Sequence, residues 1–273
     1  MKERVAIEIA GGIADVKLIR ADKMNALDDR MFDALIEAGT QVSADASVRC
    51  VVLSGVGRAF CAGIDLGRLG AKSGVDGAAD AINKPGYRLT PRTHGIANRA
   101  QQAAMVWRDC PVPVIAAVHG VAFGGGFQVM LGADMRYIAP GTRLSIMEVK
   151  WGLIPDMAGT ALMRELARAD VIRELTYTGR IFSAEEALVY GFATRVCDEP
   201  HAAAIATARE IANRSPSAVE AAKRVYNRVG DLNVPDALMQ ESVEQDVLKA
   251  GANQVEAVAS ERDRRPARFV NAR

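Results

Sequence analysis

The sequence predicts an α/β fold followed by a helical C-terminal region. Three observations carry that prediction. Apolar runs of strand length, Val51-Val52-Leu53 and Val112-Pro113-Val114-Ile115-Ala116-Ala117-Val118, alternate with stretches of helical periodicity. Each run leads into a turn rich in glycine and alanine, Ala59-Phe60-Cys61-Ala62-Gly63-Ile64-Asp65-Leu66 after the first and His119-Gly120-Val121-Ala122-Phe123-Gly124-Gly125-Gly126-Phe127-Gln128 after the second. Beyond residue 157 the chain is mostly helical in pattern.

Taken in order, residues 4–9 and 13–19 alternate apolar and polar around Gly11-Gly12, the pattern of a β-hairpin. Leu27, Met31, Leu35 and Ile36 then recur at helical spacing, and Asp28-Asp29 suit a first turn. A strand over about 48–54 delivers the chain to the first glycine turn. Residues 67–92 carry Gly67, Gly70, Gly74, Gly77, Pro85, Gly86 and Pro91, which interrupt every periodic pattern and predict a loop with a short helix. Such a segment is either a lid beside a binding site or a tolerated insertion. A helix is expected over 93–109 and a buried strand over 112–118, after which the triple glycine opens a helix over about 125–133. Short strands at 135–138 and 143–147 lead to Glu148. Farther on, Ser183-Ala184-Glu185-Glu186 fits a capping box, and Ser215-Pro216 puts proline in a first turn. The expected division is a core over 1–195 and a helical region over 196–273.

Composition bounds the function. A chain of 273 residues with 49% hydrophobic content can bury a substantial core. Thirty-four Lys and Arg against 33 Asp and Glu give a net charge of +1, so no overall field draws the molecule to nucleic acid or to a membrane. The tail Glu261-Arg262-Asp263-Arg264-Arg265-Pro266-Ala267-Arg268 reads as a solvated end. Cys50, Cys61, Cys110 and Cys197 show no C-x-x-C spacing, and with no signal-peptide pattern ahead of them they point to reduced thiols and a cytoplasmic location. Three scattered histidines, His94, His119 and His201, make no metal cluster. No apolar run approaches the ~18 to 20 residues of a membrane helix.

The two glycine turns suggest one backbone device. Small residues let main-chain N–H groups approach a ligand closely, and a turn that opens a helix aims those donors at developing negative charge. The segments Ala59 to Leu66 and His119 to Gly126, with the earlier Arg20-Ala21-Asp22-Lys23-Met24-Asn25-Ala26-Leu27, resemble the enoyl-CoA hydratase/isomerase (crotonase) family. Order and spacing match over most of the chain. The resemblance implies a spiral of β-β-α units, with C-terminal helices that assemble trimers or dimers of trimers. It also implies an acyl-CoA thioester substrate, with coenzyme A as part of that substrate and no separate cofactor. The N–H groups of Ile64 and Gly125 would form the oxyanion hole. Ala26, Ala62, Asp65, Leu66 and Phe123 would line the substrate and CoA site, with Lys23 and Arg68 as candidates for its phosphates.

Proton transfer needs titratable groups just beyond that hole. Hydratases of the family use two glutamates, and the position of the first holds Gln128 here, an amide that can orient a water or substrate oxygen but cannot exchange protons near neutral pH. The second is matched by Glu148 in Ser145-Ile146-Met147-Glu148-Val149. Asp156, eight residues on, resembles the second acid of the dienoyl-CoA isomerase branch, although that branch carries a third acid where Gln128 stands. Asp156 also reads as an N-cap for a helix near Met157. Three readings remain open: double-bond isomerisation through Glu148 and Asp156, or through Glu148 alone with Asp156 auxiliary; hydration by the same pair with Gln128 positioning water; and a non-catalytic acyl-CoA- or RNA-binding protein on the same fold.

Overall fold

Two glycines make the first hairpin. The computed structural model describes residues 4–65, 67 and 88–273. Strands β1 (Val5–Ala10) and β2 (Ile13–Leu18) pair antiparallel with Ala10 opposite Ile13. Gly11 and Gly12 take φ of 59° and 79°, as a two-residue turn matched to strand twist requires. From β2 the sheet grows by parallel pairing through β3 (Cys50–Gly55), β4 (Val114–Val118), β6 (Met135–Ile138) and β9 (Arg195–Val196), in the order β1-β2-β3-β4-β6-β9. The central strands β3 and β4 are buried almost throughout, which explains why they read as continuous apolar runs rather than alternating ones.

A smaller sheet contains β5 (Val121–Phe123), β7 (Arg143–Ser145) and β8 (Phe182–Ser183). Single parallel bridges, Cys61 with Ala122 and Leu27 with Ile64, extend its ladder. The chain thus gives a strand to the large sheet and then a short one to the small sheet, repeatedly: β3 then 61–64, β4 then β5, β6 then β7. This is the β-β-α spiral that the resemblance implies.

Helices cover the sheets. Helix α1 (Asp29–Ala44) starts at Asp28, whose carboxylate accepts the Met31 N–H at 2.8 Å, and it buries Met31, Leu35, Ala38 and Val42. Helix α2 (Arg99–Arg108) begins six residues later than expected because Asn98 and Gln101 close a capping box, each bond 2.9 Å long. Helix α3 (Gly125–Leu131) is buried on every side, with Phe127 edge-on to Phe182 and Phe192 at ring distances of 5.7 and 5.3 Å. The expected loop at 67–92 lies for most of its length outside the described residues.

The C-terminal part contains α4 (Gly159–Met163), α5 (Ala169–Thr178), α6 (Ala184–Tyr190), α7 (Pro200–Ala212), α8 (Pro216–Val229), α9 (Val234–Leu248) and α10 (Ala252–Arg262). The Ser183 capping box and the first-turn Pro216 are present. The division expected at 195/196 falls inside β9, and α7 beyond it packs Ala204, Ala208 and Ala212 onto Cys50, Val52, Ile115 and Ala117. Helix α7 is therefore a layer of the core. Helix α8 is tied down by the buried Lys223, which donates to Trp107 O, Val112 O and the Asp134 carboxylate at 3.2, 3.0 and 2.7 Å.

All four cysteines are free thiols. Among the described residues no helix is long and apolar enough to cross a membrane, and no group of three His, Cys, Asp or Glu side chains could hold a metal ion.

Candidate active site

The site is assembled where the two glycine turns meet. Ahead of the first, Met24 and Asn25 both take left-handed φ of 49° and 55°. The fully buried Asn25 amide pins that bend to the end of β3 by donating to Val56 O at 3.1 Å and Ala59 O at 2.9 Å. Cys61 donates its thiol to Asn25 O, and burial pushes that thiol up to about 12, so it acts as a neutral donor rather than a nucleophile. Arg20 completes the corner: it donates to Ala26 O at 2.9 Å and pairs with Asp65 at 2.8 Å.

Leu27 N donates to Gly63 O, and Asp65 N donates to Leu27 O. In a parallel bridge these two bonds flank Ile64 and turn its own N–H to the opposite side, toward the second turn. A Cβ on Gly63, whose φ is 88°, would lie 2.5 Å from Phe123 O and 3.7 Å from Gly125 N. Only glycine permits that approach. Gly125 opens α3 behind Gly124, which has no side chain to accept a capping bond. Among the described residues neither the Ile64 nor the Gly125 N–H donates to a backbone carbonyl outside helices and strands. Both residues border one cavity of about 960 Å³.

Glu148 and Asp156 border the same cavity. Glu148 opens a 3-10 turn, Glu148–Trp151, that follows β7 and closes on Gly152 at φ 70°. It is only 8% exposed. Its Oε1 accepts the Gln128 amide at 2.5 Å, whereas its Oε2 is buried with no hydrogen-bond partner in the protein. Burial first, and the nearby Asp156 carboxylate in addition, push the Glu148 carboxyl above its ordinary range against the opposing hydrogen bonds. Burial likewise raises Asp156.

Asp156 is not the helix cap that its position suggests. Helix α4 starts at Gly159 behind Ala158, which sits at φ 67° and makes no side-chain cap. The cap comes instead from α3: Gln128 Oε1 accepts Met157 N at 2.8 Å and Gly159 N at 2.9 Å. The amide of Gln128 is thus occupied at both ends, and the residue stands behind the cavity rather than on its wall.

The sequence profile of the enoyl-CoA hydratase/isomerase family matches residues 8–269. The chain belongs to the enoyl-CoA hydratase/isomerase family. Among its curated relatives, the human mitochondrial Delta(3,5)-Delta(2,4)-dienoyl-CoA isomerase is 35% identical over 236 residues, 83% of this chain and 69% of that protein. Carnitinyl-CoA dehydratase of Salmonella paratyphi A is 32% identical over 240 residues, 86% of this chain and 85% of the other. Among solved structures, an enoyl-CoA hydratase from Bacillus anthracis superposes with a TM-score of 0.85 at 26% identity, covering 99% of this chain and 100% of that one.

Enzymes of the enoyl-CoA hydratase/isomerase family act on CoA thioesters without a further cofactor, and this chain is an enzyme of that superfamily. Of the residues expected from sequence, Ile64, Gly125, Glu148, Asp156, Lys23, Ala26, Ala62, Asp65 and Phe123 border the cavity. Lys23 is exposed at its rim. The Asp65 carboxyl is held below its ordinary range by the Gly67 N–H first and by Arg20 after it, so its charge belongs to the corner itself. Leu66 and Arg68 lie outside the described residues.

Sequence reasoning missed the apolar wall, formed by Phe32, Leu89, Ala100, Met147, Trp151, Leu153, Met157 and Ile181. One signal was present, the segment Trp151-Gly152-Leu153-Ile154-Pro155 between the two acids. It is too apolar for an ordinary surface loop.

Proposed function

We propose that the protein isomerises a carbon–carbon double bond in an enoyl- or dienoyl-CoA thioester. The thioester oxygen accepts the N–H groups of Ile64 and Gly125, which stabilise the enolate as charge moves onto it; one such donor is worth about 2.7 to 4 kcal/mol in comparable sites. Glu148 removes a proton from the acyl carbon next to the double bond. The proton returns at the far end of the shifted π system from Glu148 itself or from Asp156. Substrate and product have the same composition, and no co-reactant is needed.

The observation that carries this reading is the pair of raised carboxyls on one largely apolar cavity, Glu148 with one oxygen unpartnered. Elevated pKa values suit groups that must both take and give a proton near neutral pH. The dienoyl-CoA isomerases among the relatives support it as well.

Hydration of a 2-enoyl-CoA is the second reading, favoured by the hydratase names of the structural neighbours. It loses its expected water holder, because both ends of the Gln128 amide are occupied inside the protein. Mass spectrometry of 2-enoyl-, 3-enoyl- and 3,5-dienoyl-CoA thioesters incubated with the protein separates the two. A change in retention time at constant mass is expected, and a gain of one water on the 2-enoyl thioester overturns the isomerase reading. Glu148→Gln is expected to lose roughly 100-fold or more of the activity, and full retention would remove Glu148 from the mechanism.

The reading also includes a homotrimer or a dimer of trimers. Helix α9 has no buried residue and exposes Leu238, Met239, Val243 and Val247. A face of that kind supports self-association.

A further inference from the structure

We propose that Gln128 is a positioning residue that selects which oxygen of Glu148 carries the proton and holds the loop of Asp156 in register with it. The proposal rests on the reading of Glu148 as the base.

Met157 N and Gly159 N can only donate, so the Gln128 side-chain atom they both meet, at 2.8 and 2.9 Å, must be its oxygen. That assignment leaves the NH₂ group facing Glu148, where it donates to Oε1 at 2.5 Å. A flipped amide would set an NH₂ against two N–H groups and a carbonyl oxygen against a carboxylate. The orientation is therefore fixed by chemistry, and Gln128 is 1% exposed, so water offers no substitute partner.

Two consequences follow for Glu148. Its Oε1 is held by a donor that favours the ionised form, so the proton affinity is left on Oε2, which has no partner. Its side chain is also anchored, through one glutamine, to the backbone on either side of Ala158, two residues after Asp156. The two carboxyls therefore keep a fixed separation without a direct bond between them. Gln128 does not border the cavity, so it acts through Glu148 and the loop.

The other charged groups near Glu148 are few. Helix α3 carries none, since its residues are Gly125, Gly126, Phe127, Gln128, Val129, Met130 and Leu131. Helix α4 carries no charge. The loop supplies Asp156, and the 3-10 turn itself supplies Lys150, which lies over the Trp151 ring at 5.3 Å. Helix α5, which packs on that turn, has Asp170 paired with Arg168, Glu174 paired with Arg180, and Arg173 exposed.

The test compares Gln128→Met, of similar volume, and Gln128→Glu with the wild type in the full-length protein. Carbon NMR of ¹³C-glutamate-labelled protein, with the Glu148 signal assigned by its loss in Glu148→Gln, reads that titration directly. In Gln128→Met the Glu148 titration and the acid limb of kcat/KM both move to higher pH, kcat falls by up to roughly 100-fold, and KM changes little. In Gln128→Glu one oxygen still accepts the two backbone N–H groups while the other opposes Glu148 Oε1. The acids then share a proton and titrate as a coupled pair, again at higher pH.

An unmoved Glu148 titration in folded Gln128→Met, or a loss of thermal stability with an unchanged pH profile, overturns the proposal. Should Gln128→Met fail to fold, Gln128→Glu decides by the same criterion. If Glu148→Gln keeps full activity while the titration shifts as stated, the positioning survives and the base assignment falls. The two failures are therefore distinguishable.

Discussion

At residue scale, the site places a poorly solvated carboxyl where function needs it and stability does not. Glu148 is raised above its ordinary range by burial, so the folded state binds its proton more tightly than the unfolded chain does. Its contribution to stability is therefore full below the unfolded value of 4.5 and is lost as pH rises through the higher folded value. Glu148→Gln removes the buried charge while keeping an acceptor for Gln128. Urea unfolding at pH near 7.5 is expected to give that variant a midpoint at or above the wild type, with the advantage shrinking near pH 4.5. A clear loss at the higher pH would show that the ionised carboxylate stabilises the fold. Asp156 illustrates the limit of local reading. Aspartate before a helix is a good cap by pattern, yet the helix donors are met by Gln128 from 31 residues earlier.

At element scale, the short helices hold their places through buried polar anchors as much as through apolar faces. Helix α3 lies inside the molecule, and its Gln128 caps α4. Helix α8 is joined to the core by Lys223, whose three acceptors lie at the end of α2, before β4 and before β6. Lys223→Met keeps most of the buried volume but leaves Trp107 O and Val112 O without that donor, while Asp134 keeps the Val114 N–H at 2.7 Å. A loss of about 1 to 3 kcal/mol in denaturant unfolding is expected, the usual result of leaving buried acceptors without their donor. A change under about 1 kcal/mol would mean that water replaces the lysine. The late start of α2 has the same character. The helix was expected from residue 93, but the Asn98–Gln101 box sets where the backbone turns.

At the scale of the whole molecule, two sheets built by one repeating unit bring residues 64 and 125 to a common cavity, and helix α7 covers one face of the large sheet. The exposed residues of α9 give that arrangement a testable consequence. Sedimentation velocity of the full chain is expected to show a small multiple of 29.1 kDa, three or six copies. A single-chain mass at every concentration would overturn the expected assembly and leave the exposed apolar side chains of α9 uncovered.

Much of this was legible in the sequence because its causes are local. The Gly11-Gly12 hairpin, the buried central strands, the Ser183 capping box and the paired glycine turns each depend on residue type within a few positions. Glu148 was legible through the resemblance, as the match to the family's second glutamate after a strand pair. Other features depend on which chain segments meet, and only the tertiary structure decided them. Burial and the proximity of Asp156 raise the Glu148 carboxyl. Arg20 neutralises Asp65. The Gln128 amide, which in sequence reads as a group facing substrate, is held at both ends by partners 20 and 29 to 31 residues away. Hydrogen-bond saturation and desolvation are properties of a packed neighbourhood, and they become defined only when the spiral has brought that neighbourhood together.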